Sequence, residues 1–169
     1  MVSDQLDYEG ELAAIIGKPG RHIPKERALE HVAGYSIFND ASIRDYQMRG
    51  QQWTLGKNFD GTGPFGPELV TADELPPGAR GLKLTTRLNG ATMQSSNTDE
   101  LIFDVATLIA RLSEALTLET GDVIVTGTPG GIGFFRKPPV YMKQGDICEI
   151  EIEAIGILRN RIEDEAPAK

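Results

Sequence analysis

Two glutamates, separated by one residue, lie near the start of the chain, at the beginning of an apolar run. Glu9 and Glu11 would share one face of a strand, and that face continues into Ala13 and Ile15, which are typical of a buried strand. Carboxylates that point toward a core need a cation or a proton, because burying a bare charge is costly. A hard divalent ion supplies that charge and takes oxygen ligands. The pattern therefore favours a metal site, with a solvated strand face as the alternative.

A second concentration of acidic side chains follows a strand predicted at Tyr35 to Asp40. It spans residues 39–45, with the sequence Asn-Asp-Ala-Ser-Ile-Arg-Asp. An Asx turn after a strand explains this composition as well as a binding site does. On the residues alone, both interpretations stay open.

A third acidic pattern lies in a strand predicted at residues 147–155, where glutamates alternate with apolar residues. This alternation is typical of a half-exposed strand, so we interpret its glutamates as solvated. Cys148 is the one cysteine of the chain and lies on the apolar face, which indicates a small buried hydrophobe and not a reactive thiol. The glutamates of this strand are Glu149, Glu151 and Glu153.

A glycine-rich turn, Gly-Thr-Pro-Gly-Gly-Ile-Gly at 127–133, follows another predicted strand. No lysine-serine pair closes it, and Phe134 to Pro139 cannot open a helix, so it does not indicate a nucleotide-binding loop. Its amides and the Thr128 hydroxyl remain suited to an anionic group. The two histidines, His22 and His31, have no serine or cysteine partner that spacing singles out, so a nucleophilic triad is unsupported. We expect His31 on the surface.

The composition indicates one globular domain, since 169 residues of which 40% are hydrophobic suffice for one core. A net charge of -8 disfavours unspecific binding to nucleic acid or to an anionic membrane, because both would repel the chain. The sequence has no apolar run of spanning length and no charged-then-apolar leader. We therefore expect a cytoplasmic protein.

Strands outnumber helices among the predicted elements. A hairpin turns at Asn89-Gly90, a pair that suits a type I′ turn. One long helix, Leu101 to Leu116, follows a capping box formed by Asn97 and Glu100. Residues 41–81 are turn-rich and show little periodicity. Because no regular crossover helices separate the strands, the pattern favours an α+β, mainly β fold over a doubly wound sheet.

Several stretches of the sequence, taken in order, resemble the fumarylacetoacetate hydrolase family. They are Asp-Tyr-Glu-Gly-Glu-Leu at 7–12, Gly-Tyr-Ser-Ile-Phe-Asn-Asp-Ala-Ser-Ile-Arg-Asp-Tyr-Gln at 34–47, Gly-Lys-Asn-Phe-Asp at 56–60, Gly-Asp-Val-Ile-Val-Thr-Gly-Thr-Pro at 121–129, Gly-Asp-Ile at 145–147 and Leu-Arg-Asn-Arg at 158–161. The resemblance implies a fumarylacetoacetate-hydrolase-like β roll, with a mixed sheet and few helices. It implies one catalytic domain over residues 1–163, followed by a frayed tail at 164–169.

The resemblance also implies which residues form the site. In the family a Glu-x-Glu pair and a later aspartate bind Mg²⁺ or Mn²⁺, and Glu9, Glu11 and Asp40 match them. Lys57 matches the active-site lysine, a cation beside an enolate oxygen. The substrate-binding positions match Arg44 for a carboxylate, Gln47 for a carbonyl and Thr128 for the acid end of the substrate.

Short members of the family carry, upstream of the Glu-x-Glu pair, a histidine and a glutamate that close over the metal and activate water. This chain starts eight residues before Glu9, so we expect a fragment or a truncated product that lacks this segment. Hydrolysis of an acylpyruvate needs such a base, which contributes roughly 10²- to 10⁴-fold. Decarboxylation of an oxaloacetate-type acid mainly needs a metal and a cation.

The function expected from the resemblance is that of a metal-dependent hydrolase or lyase acting on a carbon-carbon bond of a small 2-oxo acid. The two expected reactions are acylpyruvate hydrolysis and oxaloacetate-type decarboxylation, within aromatic catabolism. An isomerase or hydratase is one alternative, and a truncated metal-binding domain that is non-catalytic or depends on a partner is another. We expect a homodimer, because family members commonly dimerise, with no nucleic acid and no membrane among its partners.

Overall fold

The computed structural model describes residues 2–165, in which two β-sheets pack against each other. The strands are β1 (Leu6–Asp7), β2 (Gly10–Ile16), β3 (Val32–Asn39), β4 (Ser42–Ile43), β5 (Phe65–Thr71), β6 (Lys83–Leu88), β7 (Ala91–Asn97), β8 (Val123–Val125), β9 (Ile147–Ile152) and β10 (Gly156–Arg161). The α-helices are α1 (Arg44–Gln47) and α2 (Val105–Ala115). Turns of 3-10 helix lie at Lys25–His31, Trp53–Lys57, Ala72–Glu74, Pro77–Ala79, Thr98–Glu100 and Gly133–Phe135.

The first sheet has the order β5-β3-β2-β8 and the second the order β10-β9-β6-β7, while β1 and β4 form a short ribbon. This architecture confirms the mainly β, α+β class with few helices. Within the part of the chain that the structure describes, the pairs between named strands run antiparallel in both sheets.

The main core lies between the two sheets and includes Leu12 and Ile16 from β2 together with Ile150 and Ile152 from β9. Gly10 opens β2 at a point of close approach, where a Cβ would collide with the Thr86 side chain of the second sheet. A glycine between the two glutamates therefore lets β2 lie directly on the second sheet.

The structure confirms the hairpin of β6 and β7, which turns at Asn89-Gly90. The predicted start of the long helix was wrong. The capping box of Asn97 and Glu100 is present, but it opens a single 3-10 turn at Thr98–Glu100. The α-helix begins four residues later than predicted, at Val105, because the Asp104 side chain accepts a hydrogen bond from the Thr107 amide.

His31 was expected on the surface and is instead buried, with 8% of its area exposed. Its Nδ1 lies 2.8 Å from the carbonyl oxygen of Lys18, and β3 begins at the next residue. The side chain of His31 is therefore part of the packing at the end of the first sheet.

None of the helices in the described part of the chain has both the length and the apolar character that crossing a bilayer requires. Of the predicted tail at 164–169, residues 166–169 lie outside the described residues.

Candidate metal and substrate site

The three predicted metal ligands converge where β2 begins and β3 ends. These strands are antiparallel, with Gly10 opposite Asn39, so residues flanking the start of one lie beside the end of the other. The Asp40 amide donates a hydrogen bond to the Glu9 carbonyl at 2.9 Å, which fixes the position of one segment beside the other. Glu9, Glu11 and Asp40 each offer one carboxylate oxygen, and these atoms lie within 4.8 Å of one another.

Lys57 lies against two of these carboxylates. Its Nζ is 2.9 Å from Glu9 Oε2 and 2.5 Å from Asp40 Oδ2. The 3-10 turn Trp53–Lys57 packs on α1 and carries the lysine to the site. The structure therefore places the Lys57 ammonium group against two carboxylates of the site, and its catalytic role stays a prediction.

Glu11 has a different environment. Its side chain is buried, with 3% of the residue exposed, and Oε2 accepts a hydrogen bond from the Gly127 amide at 2.5 Å. No ion pair among residues 2–165 includes Glu11. Burial raises the pKa of Glu11 from 4.5 to about 8, because the charged form loses its hydration. A hard divalent cation fits this donor set, since it would supply the charge that Glu11 lacks.

Arg44 and Gln47 lie on α1 and are both buried beside Glu9. Arg44 Nη1 is 2.6 Å from Glu9 Oε1 and 2.8 Å from Gln47 Oε1. Its Nε and Nη2 lie 2.9 and 2.8 Å from Asp7 Oδ2. Only the contacts of Nε with Asp7 and of Nη1 with Gln47 are hydrogen bonds. The buried Nη2 has no hydrogen-bond partner among the described residues, so its N–H groups remain for another acceptor. The contact of Arg44 with a substrate carboxylate stays a prediction.

Thr128 lies at the edge of the glycine-rich turn, behind the start of β2. Its hydroxyl donates to the Gly10 carbonyl at 3.1 Å and accepts from Gln94 Nε2 at 2.8 Å. Gln94 is almost completely buried, and it also accepts from the Gly10 amide and donates to the Pro129 carbonyl. Gln94 therefore holds the turn against Gly10, the residue between the two glutamates.

Sequence reasoning gave no role to Gln94 or to Asp7. Gln94 follows the turn of the predicted hairpin, and its polarity gave no sign of burial. Asp7 belongs to the first family stretch, but its partners at Arg44 and at residues 133–134 are distant in the sequence. A buried polar side chain whose hydrogen-bond partners are so distant in the sequence can be identified only from the structure.

The glutamates of β9 do not join this site. Glu151 forms an ion pair with Arg87 at 2.6 Å, and Glu149 lies 3.5 Å from Arg159. The apolar residues between them, Cys148, Ile150 and Ile152, are buried, as the alternation predicted.

The family model of the fumarylacetoacetate hydrolase C-terminal domain matches residues 1–163. A mitochondrial oxaloacetate tautomerase of Homo sapiens is 48% identical over 162 residues, which cover 95% of this chain and 51% of that protein. An oxaloacetate tautomerase of Bacillus subtilis (strain 168) is 48% identical over 161 residues, with 95% and 53% covered. The chain thus spans about half the length of these curated relatives.

Solved structures share the fold as well. A fumarylacetoacetate hydrolase from psychrophilic Exiguobacterium antarcticum superposes with a TM-score of 0.93 at 49% identity, over 97% of this chain and 58% of that one. A fumarylpyruvate hydrolase from Pseudomonas aeruginosa, solved in complex with Mn²⁺ and pyruvate, gives 0.87 at 36% identity, over 97% and 68%. The chain belongs to the fumarylacetoacetate hydrolase family.

Proposed function

We propose that this chain carries the metal and enolate site of an enzyme that acts on small 2-oxo acids, oxaloacetate among them. The convergence of Glu9, Glu11 and Asp40 with Lys57 is the observation that carries this proposal. Relatives named oxaloacetate tautomerases, and a hydrolase whose structure contains Mn²⁺ and pyruvate, support it.

In this proposal Glu9, Glu11 and Asp40 hold Mg²⁺ or Mn²⁺, since oxygen ligands serve both ions. The bound ion supplies Lewis-acid stabilisation of negative charge on a substrate oxygen. Three carboxylates slightly overcompensate a 2+ charge and leave coordination positions free for a chelating 2-oxo acid.

The side chains around the ligands have distinct proposed roles. Lys57 places its ammonium beside the developing enolate oxygen, and its contacts with Glu9 and Asp40 keep it there. Gln47 and the unpartnered N–H groups of Arg44 Nη2 bind the carbonyl and carboxylate side of the substrate. Thr128 meets the acid end of the substrate, where its hydroxyl would donate to the carboxylate in place of the Gly10 carbonyl, on a turn that Gln94 holds in place.

Tautomerisation, decarboxylation and acylpyruvate cleavage share one requirement, which is the stabilisation of a 2-oxo acid enolate. Tautomerisation moves a proton between carbon and oxygen, whereas the other two reactions break a carbon-carbon bond. The names of the relatives make oxaloacetate the first substrate to test, with keto-enol isomerisation beside decarboxylation. Hydrolysis additionally needs a base that activates water.

The test follows oxaloacetate and an acylpyruvate with Mn²⁺ and with a chelator. Ultraviolet absorbance reports the enol of oxaloacetate, and a coupled assay reports pyruvate. We expect metal-dependent conversion by the wild type and its loss in the double variant Glu9→Ala, Glu11→Ala. The double variant Glu149→Ala, Glu151→Ala is the matched control, because it also removes two alternating glutamates. Equal conversion by both double variants would refute the proposed site.

A partner-dependent metal-binding domain is the second candidate, because three converging carboxylates can hold an ion without catalysing a reaction. Such a domain would bind Mn²⁺ without converting either substrate. Metal binding that is lost in Glu9→Ala, Glu11→Ala, together with no product from the wild type, would favour this candidate.

We further propose a homodimer. Ile102 and Phe135 expose 92% and 76% of their areas, and large exposed apolar side chains favour association. Light scattering should give twice the mass of one chain at micromolar concentration. A monomer mass that persists on concentration would contradict the proposal.

A further inference from the structure

Asp7 is a completely buried carboxylate next to the metal site, with an exposed fraction of 0%. Its Oδ1 accepts from the amides of Gly133 at 2.7 Å and Tyr8 at 2.9 Å. Its Oδ2 accepts from the amide of Phe134 and from Nε of Arg44, both at 2.9 Å. A buried carboxylate with this many donors is held in one position.

The contacts of Asp7 lead to a proposed metal ligand through one side chain. Arg44 contacts Asp7 with Nε and Nη2, and it contacts Glu9 Oε1 with Nη1 at 2.6 Å. The second oxygen of Glu9 lies 2.9 Å from Lys57 Nζ. The Glu9 carboxylate therefore lies between two cations, of which the buried one is neutralised by Asp7.

We propose that Asp7 is a positioning residue of the metal site. It neutralises Arg44 and fixes the orientation of its guanidinium, so that the Glu9 carboxylate remains available to bind a divalent ion. This inference rests on the proposed function. Without the charge of Asp7, the guanidinium of Arg44 would have Glu9 as its main anionic partner. Glu9 would then be drawn toward Arg44, and the uncompensated positive charge would repel a metal ion.

Asp7 also connects the metal site to the end of the glycine-rich turn. The amides of Gly133 and Phe134 donate to Asp7, while Gly127, at the start of the turn, donates to Glu11. Gly133 packs so closely that a Cβ would collide with the Val140 carbonyl and approach Asp7. Both ends of this turn are therefore bound to acidic residues of the Asp-Tyr-Glu-Gly-Glu stretch.

The experiment measures the Mn²⁺ dissociation constant by titration calorimetry on the folded 169-residue chain, with folding checked by circular dichroism. We expect Asp7→Asn to raise the constant by about 10-fold or more, as loss of a residue that supports a metal ligand does. Asp146→Asn is the control, since Asp146 is also buried and accepts from Asn89 Nδ2 at 2.9 Å and from the Lys143 amide at 3.0 Å. It should lower the melting temperature and leave the constant unchanged.

A double-variant cycle tests whether Asp7 acts through Arg44. In the background Arg44→Gln, the further change Asp7→Asn should alter the Mn²⁺ constant by much less than it does in the wild type. The same fold-change in both backgrounds would overturn the positioning role. If Asp7→Asn fails to fold, Asp7→Ser removes the charge with a smaller polar side chain, and an unchanged constant in that variant would overturn the role as well.

The outcomes separate this inference from the function on which it rests. Mn²⁺ binding by the wild type with an equal constant in Asp7→Asn refutes the positioning role alone. Absence of Mn²⁺ binding by the wild type refutes the proposed metal site and the positioning role together.

Discussion

Burial changes the ionisation of Glu11. Its pKa is raised to about 8 by burial, whereas an unfolded glutamate titrates near 4.5. The folded chain therefore binds this proton more tightly than the unfolded chain. The resulting stabilisation is complete below pH 4.5 and is lost as the pH rises toward 8.

This shift predicts the pH dependence of the metal-free protein. Its melting temperature should fall between about pH 5 and pH 8 more steeply than that of Glu11→Gln, which has no proton to lose at this position. Scanning calorimetry in chelator-containing buffers measures both slopes. Parallel curves for the two proteins would contradict the raised pKa of Glu11.

Cys148 gives a second prediction for a single residue. It is 1% exposed, so a reagent cannot reach it. Burial raises the pKa of its thiol to about 12, so the reactive thiolate is not formed at neutral pH. A thiol-specific chromogenic reagent should leave the native protein unmodified at neutral pH and react fully after denaturation. Rapid modification of the native protein would show that β9 opens readily.

The candidate site could be predicted in part because some of its features are local. The spacing of Glu9 and Glu11 follows from the period of a strand, which a sequence shows directly. Asp40 and Lys57 entered through the family resemblance, since nothing in their own neighbourhood indicates that they meet. Asp7 and Gln94 could not be predicted, because their partners lie up to 127 and 84 positions away along the chain.

At the level of elements, the sequence predicted those features that neighbouring residues determine. The Asn89-Gly90 turn specifies its hairpin, and the alternation in β9 specifies its buried face. Within the region predicted as irregular, β5 is a strand because it pairs with β3, although Pro67 and several exposed residues hide its pattern. β10 is likewise defined by its partner β9, since half of its own residues are charged or polar.

The start of α2 yields a prediction about an element. The Asp104 side chain accepts from the Thr107 amide at 2.8 Å, so Asp104→Ala should lower the free energy of unfolding by about 1 kcal/mol. Urea denaturation measures the loss. Glu114→Ala, an exposed change on the same helix, is the control and should change the free energy little. Equal effects of the two variants would show that Asp104 does not act as the cap.

For the whole molecule, metal binding should appear as a gain in stability. Mn²⁺ at a hundredfold excess over its dissociation constant should stabilise the fold by about 2.7 kcal/mol, because it binds the folded chain alone. Oxalate, which chelates as a 2-oxo acid does, should raise the melting temperature further only when Mn²⁺ is present.

The control for this prediction is the double variant Glu9→Ala, Glu11→Ala, whose melting temperature should not respond to Mn²⁺. Differential scanning fluorimetry with a concentration series measures each shift. Stabilisation by oxalate without metal would indicate that the acid binds to Lys57 or Arg44 directly.

Gly10 connects the ligand spacing with the packing of the sheets. It has no side chain, yet its amide binds Gln94, its carbonyl binds Thr128, and the space beside it belongs to Thr86. A larger residue at position 10 therefore requires a change among the residues that surround it. Where a relative has a larger residue between the two acids, the residue that corresponds to Thr86 should be smaller, so these two positions should vary together.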